Sequence, residues 1–359
     1  MNYEVIFEVI SVNSDKPMEN SDIYWELLLG QIIMNRISKL AYINLLNMKI
    51  DMPKVFKKNL KKHCEIDEQK AKIFLSNLCE IVKVFDDAEF NYAFIKGAYL
   101  TPEVYELGER TSNDIDVLIN KKDLKICKKL LKDNGYIQGR VNEDGVIEEA
   151  SRKEILFSSM NYGETIPFLK KTSTGVIEID VNFSLNEGKY DDSHLVEYML
   201  KRRVKVKTKK LQDNFLWTLN ETDFLIQLCC HLYKEASNIV WVKYRRDLSM
   251  YKFVDILYLL KKWGTYEFCR KFENEVNENH LQKECYYALS AVHEFWPECL
   301  NDNVVKMINS IKPNDISYIK KIYDFANKRT YYYTQTRREW FLCNNRIGNL
   351  HEGEIDEQV

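Results

Sequence analysis

Two short apolar runs, each punctuated by acid at alternate positions, constrain this chain more than any other feature. The first is Asn113-Asp114-Ile115-Asp116-Val117-Leu118-Ile119, and the second is Val176-Ile177-Glu178-Ile179-Asp180-Val181-Asn182-Phe183. Alternating β-branched and apolar residues make both runs strands. Residues two apart on a strand share a face, so Asp114 and Asp116 point the same way. Carboxylates gathered like this repel one another unless a cation lies between them, and such hard oxygen ligands suit Mg²⁺. Asp180, on a neighbouring strand, completes a set for metal-assisted phosphoryl chemistry. An isolated Asp-x-Asp also marks strand ends and solvated turns, so the surroundings must carry the argument.

Those surroundings are specific. Upstream, Tyr92-Ala93-Phe94-Ile95-Lys96-Gly97-Ala98-Tyr99-Leu100 is an apolar strand that runs into Lys-Gly and then a helical pattern. Glycine at a strand-to-helix turn admits close approach of backbone N–H groups to a phosphate, and the helix adds its positive N-terminus. The chain returns through Gly108-Glu109-Arg110 into the Asp-x-Asp strand. A lysine, an arginine, a glycine turn and paired carboxylates are what an Mg²⁺-bridged triphosphate requires.

The order strand, Gly turn, helix, Asp-x-Asp strand, later Asp strand resembles the core of the polymerase-β-like nucleotidyltransferase superfamily. In detail it is similar to an uncharacterised bacterial family within it, whose pattern is Lys-Gly-x-x-Leu, Tyr, Arg-x-x-x-Asp-Ile-Asp and Asp-x-His. The chain supplies Ile95 to Leu100, Tyr105, Arg110 to Ile119, and Asp180 to Leu185, and the similarity runs from about residue 22 to about residue 300. The resemblance implies an α/β (α+β) fold, with a small mixed-sheet core between N-terminal and C-terminal helical regions. It also implies Mg²⁺ or Mn²⁺ as cofactor, an NTP as co-substrate, and transfer of a nucleoside monophosphate to an acceptor hydroxyl on a small molecule or protein.

In that scheme Asp114 and Asp116 hold metal, and Asp180 shares it and helps deprotonate the acceptor. Lys96, Gly97, Ala98 and Arg110 take the triphosphate. The family also places a histidine and a later aspartate in its helical domain, here His231 and Asp255, with Lys252 one turn before Asp255; all three are expected at the substrate. The plainer readings are a core histidine and a surface salt bridge between Lys252 and Asp255. Two positions depart from the pattern: Gly97-Ala98 stands where Gly-Ser or Gly-Gly is usual, and Asn182 stands where the family has His. The alternatives are a catalytically silent nucleotide-binding or antitoxin-like module, and an enzyme acting on RNA ends.

Composition bounds the rest. The 359 residues carry 52 basic and 54 acidic side chains, a net charge of −2, so no global field drives the chain onto nucleic acid or membrane. Only 12 glycines and 6 prolines favour helices over a loop-rich fold. The nine cysteines include no Cys-x-x-Cys, which points to reduced thiols in a cytoplasmic protein. No apolar run is long enough for a membrane span.

The expected organisation is a mainly helical region over 1–85, the nucleotidyltransferase core over 86–215, a helical domain over 216–346, and a disordered acidic tail over 347–359. The first twenty residues alternate like a strand and then turn polar. Within the core, strands are expected at Tyr92–Ile95, Ile115–Ile119, Tyr136–Gln138, Leu156–Met160, Ile166–Leu169 and Val176–Phe183. A helix is expected over Lys122–Lys132, and a hairpin turn at Lys171–Gly175 sets Asp180 beside the Asp-x-Asp strand. Further helices are expected through Ile316–Phe325, with the tyrosines of Arg329–Thr334 at a helix end. Finally, Lys201–Lys210 holds seven basic residues in ten. It reads as a nucleic-acid strip or as a solvated connecting strand, with no aromatics interleaved in sequence.

Overall fold

The structure is a computed structural model and describes residues 4–11, 23–161, 163–186, 192–212 and 214–353. The chain divides into two compact units, residues 65–224 and residues 1–64 with 225–359.

The N-terminal helices are α1 (Val5–Ile10), α2 (Trp25–Met34), α3 (Ser38–Asn47) and α4 (Lys54–Asp86), the last passing from one unit into the other. Residues 5–10, expected as strand, are helical; their apolar side chains are buried on nearly every side. The single acid, Glu8, gives only a weak alternation, and a run so short and so apolar suits a buried helix as well as a strand. The rest of the first twenty residues lies outside the described segments, apart from Glu4 and Ser11.

The unit of residues 65–224 is built on an eight-stranded mixed sheet. Its strands are β1 (Tyr92–Phe94), β2 (Ile115–Ile119), β3 (Ile137–Val141), β4 (Ile147–Glu149), β5 (Phe168–Thr172), β6 (Gly175–Asn182), β7 (Val204–Lys207) and β8 (Phe215–Thr218). Their order across the sheet is β4-β3-β5-β6-β2-β1-β8-β7, with β2–β6 and β1–β8 parallel and the other pairs antiparallel. The hairpin β5–β6 turns at Ser173-Thr174 and sets Asp180 beside β2, as its spacing predicts. The sheet is intercalated with α5 (Gly97–Glu103), α6 (Leu124–Asp133), α7 (Arg152–Asn161) and α8 (Ser193–Lys201). Phe85 of α4 packs edge-on against Phe94 at 5.4 Å between centroids, and Glu80 of α4 pairs with Lys170 at 2.8 Å.

α7 corrects the expected strand at Leu156–Met160. Its start is a capping box: the Glu154 amide donates to Ser151 Oγ, while Ser151 N donates to Glu154 Oε2 at 2.9 Å. That reciprocal pair satisfies amides a new helix leaves orphaned, and Leu156-Phe157-Ser158-Ser159-Met160 has no strand alternation to set against it.

The second unit holds α9 (Glu221–Ala236) beyond its first turn, α10 (Ile239–Lys243), α11 (Met250–Trp263), α12 (Tyr266–Glu278), α13 (Gln282–Phe295), α14 (Asp302–Ser310) and α15 (Arg337–Leu342). Phe7 anchors α1 among Phe295 and Phe341, at 4.8 and 5.3 Å between centroids, and its carbonyl accepts from Trp296 Nε1 at 2.9 Å. The segment expected as helix at Ile316–Phe325 is instead a 3₁₀ turn followed by β9 (Lys321–Asp324). The tyrosine-rich segment is β10 (Arg329–Tyr332), not a helix end, and His351–Glu352 form β11 against it. Tyr323, Tyr331 and Tyr332 lie in paired β positions, where aromatic residues fit a half-buried pleated surface. The tail therefore orders as far as β11; its last six residues lie outside the described segments.

Candidate active site

Parallel pairing of β2 with β6 sets Asp116 directly opposite Asp180. In a parallel pair, register partners present their side chains to the same face, so the two carboxylates are neighbours. Asp116 is buried, at 4% exposure, and Asp180 is half-buried with a fully buried Oδ1 that has no hydrogen-bond partner. Asp114 stands half-buried just before β2. Burial, followed by the charges of Asp114 and Asp116, pushes the Asp180 carboxyl well above the usual carboxylate range. Burial likewise pushes Asp116 up to about 6, against the opposing pull of Lys96.

Lys96 supplies the cation. Its Nζ lies 2.7 Å from Asp116 Oδ1. Burial alone would lower its pKa, but Asp116, Glu164 and Asp114 together hold the ammonium above the ordinary lysine range. The residue caps α5 with φ 49° and ψ −128°, a backbone conformation that β-carbon sterics disfavour. Local strain and an ion pair thus coincide at the residue that joins β1 to α5.

Gly97 is required by close packing. A β-carbon there would lie 1.9 Å from Ser112 Oγ and 2.8 Å from Ser112 Cβ. Ser112 Oγ in turn accepts from Arg110 at 3.2 Å, and Arg110 also donates to the Thr111 carbonyl. These contacts cinch the loop carrying Asp114 onto the turn carrying Lys96. Arg110, expected on the triphosphate, is buried at 6% exposure and bonded to this loop. Ala98 is buried in α5, a helix of seven residues.

Three residues join the site that sequence spacing did not assign. Asn182 donates from Nδ2 to Asp116 Oδ1 at 3.2 Å and to the Asp180 carbonyl at 3.2 Å. It therefore ties the Asp116 carboxylate to the backbone of β6 at Asp180. Glu164 bridges Asn182 across an antiparallel contact and acts electrostatically on both Lys96 and Asp180. Glu178 shares the Asp180 face of β6, and burial followed by Asp114 and Asp116 raises its carboxyl. Only the alternation within β6 hinted at Glu178, and no local signal marked Glu164.

In the helical unit, Lys252 and Asp255 are buried at 8% and 2% exposure rather than surface-lying. Lys252 pairs with Glu235 of α9, and His231 Nε2 lies 3.4 Å from Glu235 Oε1. His231 and Glu235 are four apart on α9 and share its face. Gln227, one turn earlier, is buried with an Oε1 that has no partner. Of the expected substrate residues, His231 and Lys252 thus meet at Glu235 between α9 and α11, while Asp255 lies buried on α11 one turn after Lys252.

Among the described residues, no group of three or more His, Cys, Asp or Glu side chains is converged for a metal ion. The Lys96 ammonium is the cation on Asp116. The donor set nonetheless fits a hard divalent ion: it is all oxygen, it is short of positive charge, and Asp180 Oδ1 is a buried acceptor with nothing to accept from. Among the described residues, no helix is long and apolar enough to cross a membrane.

A family model described as an uncharacterised nucleotidyltransferase matches residues 21–297. Among solved structures, an antigenic nucleotidyltransferase-like protein from Paracoccidioides brasiliensis is similar over 64% of this chain and 94% of its own, with 14% identity and a TM-score of 0.33. No curated protein matches the sequence. With most of its length matched by that model, and with Asp114, Asp116 and Asp180 gathered at neighbouring strands of a mixed sheet, the chain belongs to the uncharacterised nucleotidyltransferase family.

Proposed function

We propose that this protein transfers a nucleoside monophosphate from an NTP to an acceptor hydroxyl on a small molecule or protein, with Mg²⁺ or Mn²⁺ as activating ion. One observation carries the reading. Asp116 and Asp180 are register partners on parallel strands, and Asp180 Oδ1 is buried without a partner. A structural pair of acids has no reason to be left so, because two close buried carboxylates repel and an unbonded buried oxygen is costly.

In the reaction, the acceptor oxygen bonds to the α-phosphorus as the α–β bridging bond breaks, and pyrophosphate leaves with the bonding electrons. Asp114, Asp116 and Asp180 would hold the divalent ion, which when bound neutralises triphosphate charge and acidifies the acceptor hydroxyl. Asp180 takes the proton from that hydroxyl, a role matched to a carboxylate whose affinity for protons is raised by its surroundings. The Lys96 side chain, long and flexible, turns from Asp116 to the triphosphate oxygens as they arrive. Asn182 keeps Asp116 oriented throughout.

The test is incubation with each α-labelled NTP, Mg²⁺ and fractionated cell extract, followed by sizing of the labelled acceptor. Asp116→Asn is expected to abolish labelling while the variant remains folded. A folded Asp116→Asn protein that labels as well as wild type ends this reading.

A further inference from the structure

The hairpin of β7 and β8 at the edge of the large sheet carries an alternation of cations and rings that the linear sequence conceals. β7 lies inside the basic run Lys201–Lys210, and its partner β8 brings Phe215 and Trp217 across from it. The antiparallel register pairs Lys205 with Trp217 and Lys207 with Phe215. Directly opposed residues in such a pair share a face, so both lysines and both rings lie on one side of the hairpin. The other side packs inward: Leu216 and Thr218 are buried at 0% and 1% exposure.

The ladder on the outer side is close. The Arg203 guanidinium sits 4.5 Å from the Trp217 ring centroid. Lys205 Nζ sits 5.6 Å from the Trp217 ring and 4.8 Å from the Phe215 ring. Lys205 and Lys207 are exposed, and Phe215 is 47% exposed. The flanking basic residues are engaged elsewhere: Arg202 grips the buried Asp223, Lys201 pairs with Glu197 at 3.2 Å, and Lys210 binds the Tyr105 carbonyl. The exposed members of the stripe are Lys205, Lys207 and Phe215.

We propose that this stripe binds single-stranded nucleic acid. Charge complementarity selects a polyanion, since Lys201–Lys210 holds seven basic and no acidic residues. The rings select a polyanion with flat faces. Phe215 and Trp217 are two residues apart, about 6.6 Å along the strand, a spacing that suits unstacked bases laid one on each ring with phosphates over the lysines. Lysines on an edge strand also discourage sheet-to-sheet pairing, but that role gives no reason for an exposed Phe215 and a half-buried Trp217 set among them. A duplex would hide its base faces, so the single strand is the form that uses both features. The binding face is a property of the hairpin alone and stands or falls apart from the transfer reaction.

The test is fluorescence anisotropy of the full-length protein with short labelled single strands of RNA and DNA of one sequence, at several salt concentrations, with polyglutamate as a purely anionic competitor. Binding that weakens steeply with salt is expected, and it should resist competition by polyglutamate. Phe215→Ala is expected to weaken it roughly five- to hundredfold with little change in salt slope, because only stacking is lost. Lys205→Gln with Lys207→Gln is expected to reduce the slope of log K against log salt by about 1.4. Preference for the RNA or the DNA strand identifies the source. The proposal is overturned if no strand binds at low salt, or if polyglutamate competes equally and Phe215→Ala, shown folded by circular dichroism, changes nothing.

Discussion

Lys96 Nζ lies 2.7 Å from Asp116 Oδ1, with only 14% and 5% of the two side chains exposed. A surface pair of this kind would contribute little, but here both partners are largely withdrawn from water. The lysine is the resident counter-ion of an acidic site, placed there by the end of β1, and its backbone is held at a positive φ of 49°.

Removing the ammonium should therefore cost stability before it costs activity. Lys96→Ala leaves Asp116 and its neighbours uncompensated, an effect worth about 3–5 kcal/mol. Added Mg²⁺ should restore much of the loss if the acids then take up the ion. Lys96→Gly removes the same charge and relieves the positive-φ strain, so it should be more stable than Lys96→Ala by about 1 kcal/mol. Urea melts of the three proteins, with and without Mg²⁺, measure both differences. Equal stability of Lys96→Ala and wild type without metal would show that the pair is not a counter-ion contact.

Gly97 and Ser112 form a second close relationship. The missing β-carbon leaves room for Ser112 Oγ. Gly97→Ala should destabilise by about 1–3 kcal/mol through overpacking, while Ser112→Gly alone should be mild. The double variant should recover most of the loss of Gly97→Ala, giving a coupling of the two sites in a thermodynamic cycle. Additive costs would mean that the backbone, not this contact, demands glycine at 97.

Ser151 and Glu154 make the capping box of α7. Ser151→Ala is expected to lower stability by about 1 kcal/mol, and Ser151→Asp to preserve it, as read from denaturation midpoints. Unchanged stability in Ser151→Ala would mean that tertiary packing alone fixes this helix.

The site's acids were legible in sequence because a carboxylate inside an apolar strand has few reasons to be there. Alternation fixed the facing of Asp116 and Asp180, and the turn after Lys171 fixed the hairpin that pairs them. Glu164 was not legible: it reaches the site from a loop, through a single bridge to Asn182, and no period marks such a contact. The sequence shows Arg110 only as a cation beside the Asp-x-Asp strand; that it also donates to the Thr111 carbonyl and to Ser112 Oγ depends on a tight loop that no local pattern marks. The stretch Leu156-Phe157-Ser158-Ser159-Met160 is too short and too mixed to carry a decisive period, whereas the capping box that starts α7 is written plainly in Ser151 and Glu154. Phe215 and Trp217 were invisible as partners of the basic run because cross-strand neighbours are distant in sequence.

Asp180 gives the most discriminating variant. Its carboxyl is raised by burial and by Asp114 and Asp116, and Asp116 is raised to about 6, whereas unfolded aspartates titrate near ~3.9. Between those limits the native state binds more protons than the unfolded state, so stability of the metal-free protein falls as pH rises through that window. The protonated, favourable condition is fully present below ~3.9 and is lost as pH passes the folded values. Asp180→Asn removes one such group and its repulsion of Asp116. Without metal, the variant should be more stable than wild type at neutral pH, and its stability should decline less steeply between about pH 4 and pH 6. Adding Mg²⁺ should reverse the order, because wild type gains an ion that the amide holds poorly. In turnover, the variant should still bind nucleotide yet transfer it several orders of magnitude more slowly, the pattern of a group that acts on the acceptor proton. Stability melts across pH, nucleotide titration and transfer assays on one preparation separate these effects. If the metal-free variant proves less stable than wild type at neutral pH, with the same pH slope, then Asp180 is held by contacts of a structural kind and the acceptor is activated elsewhere.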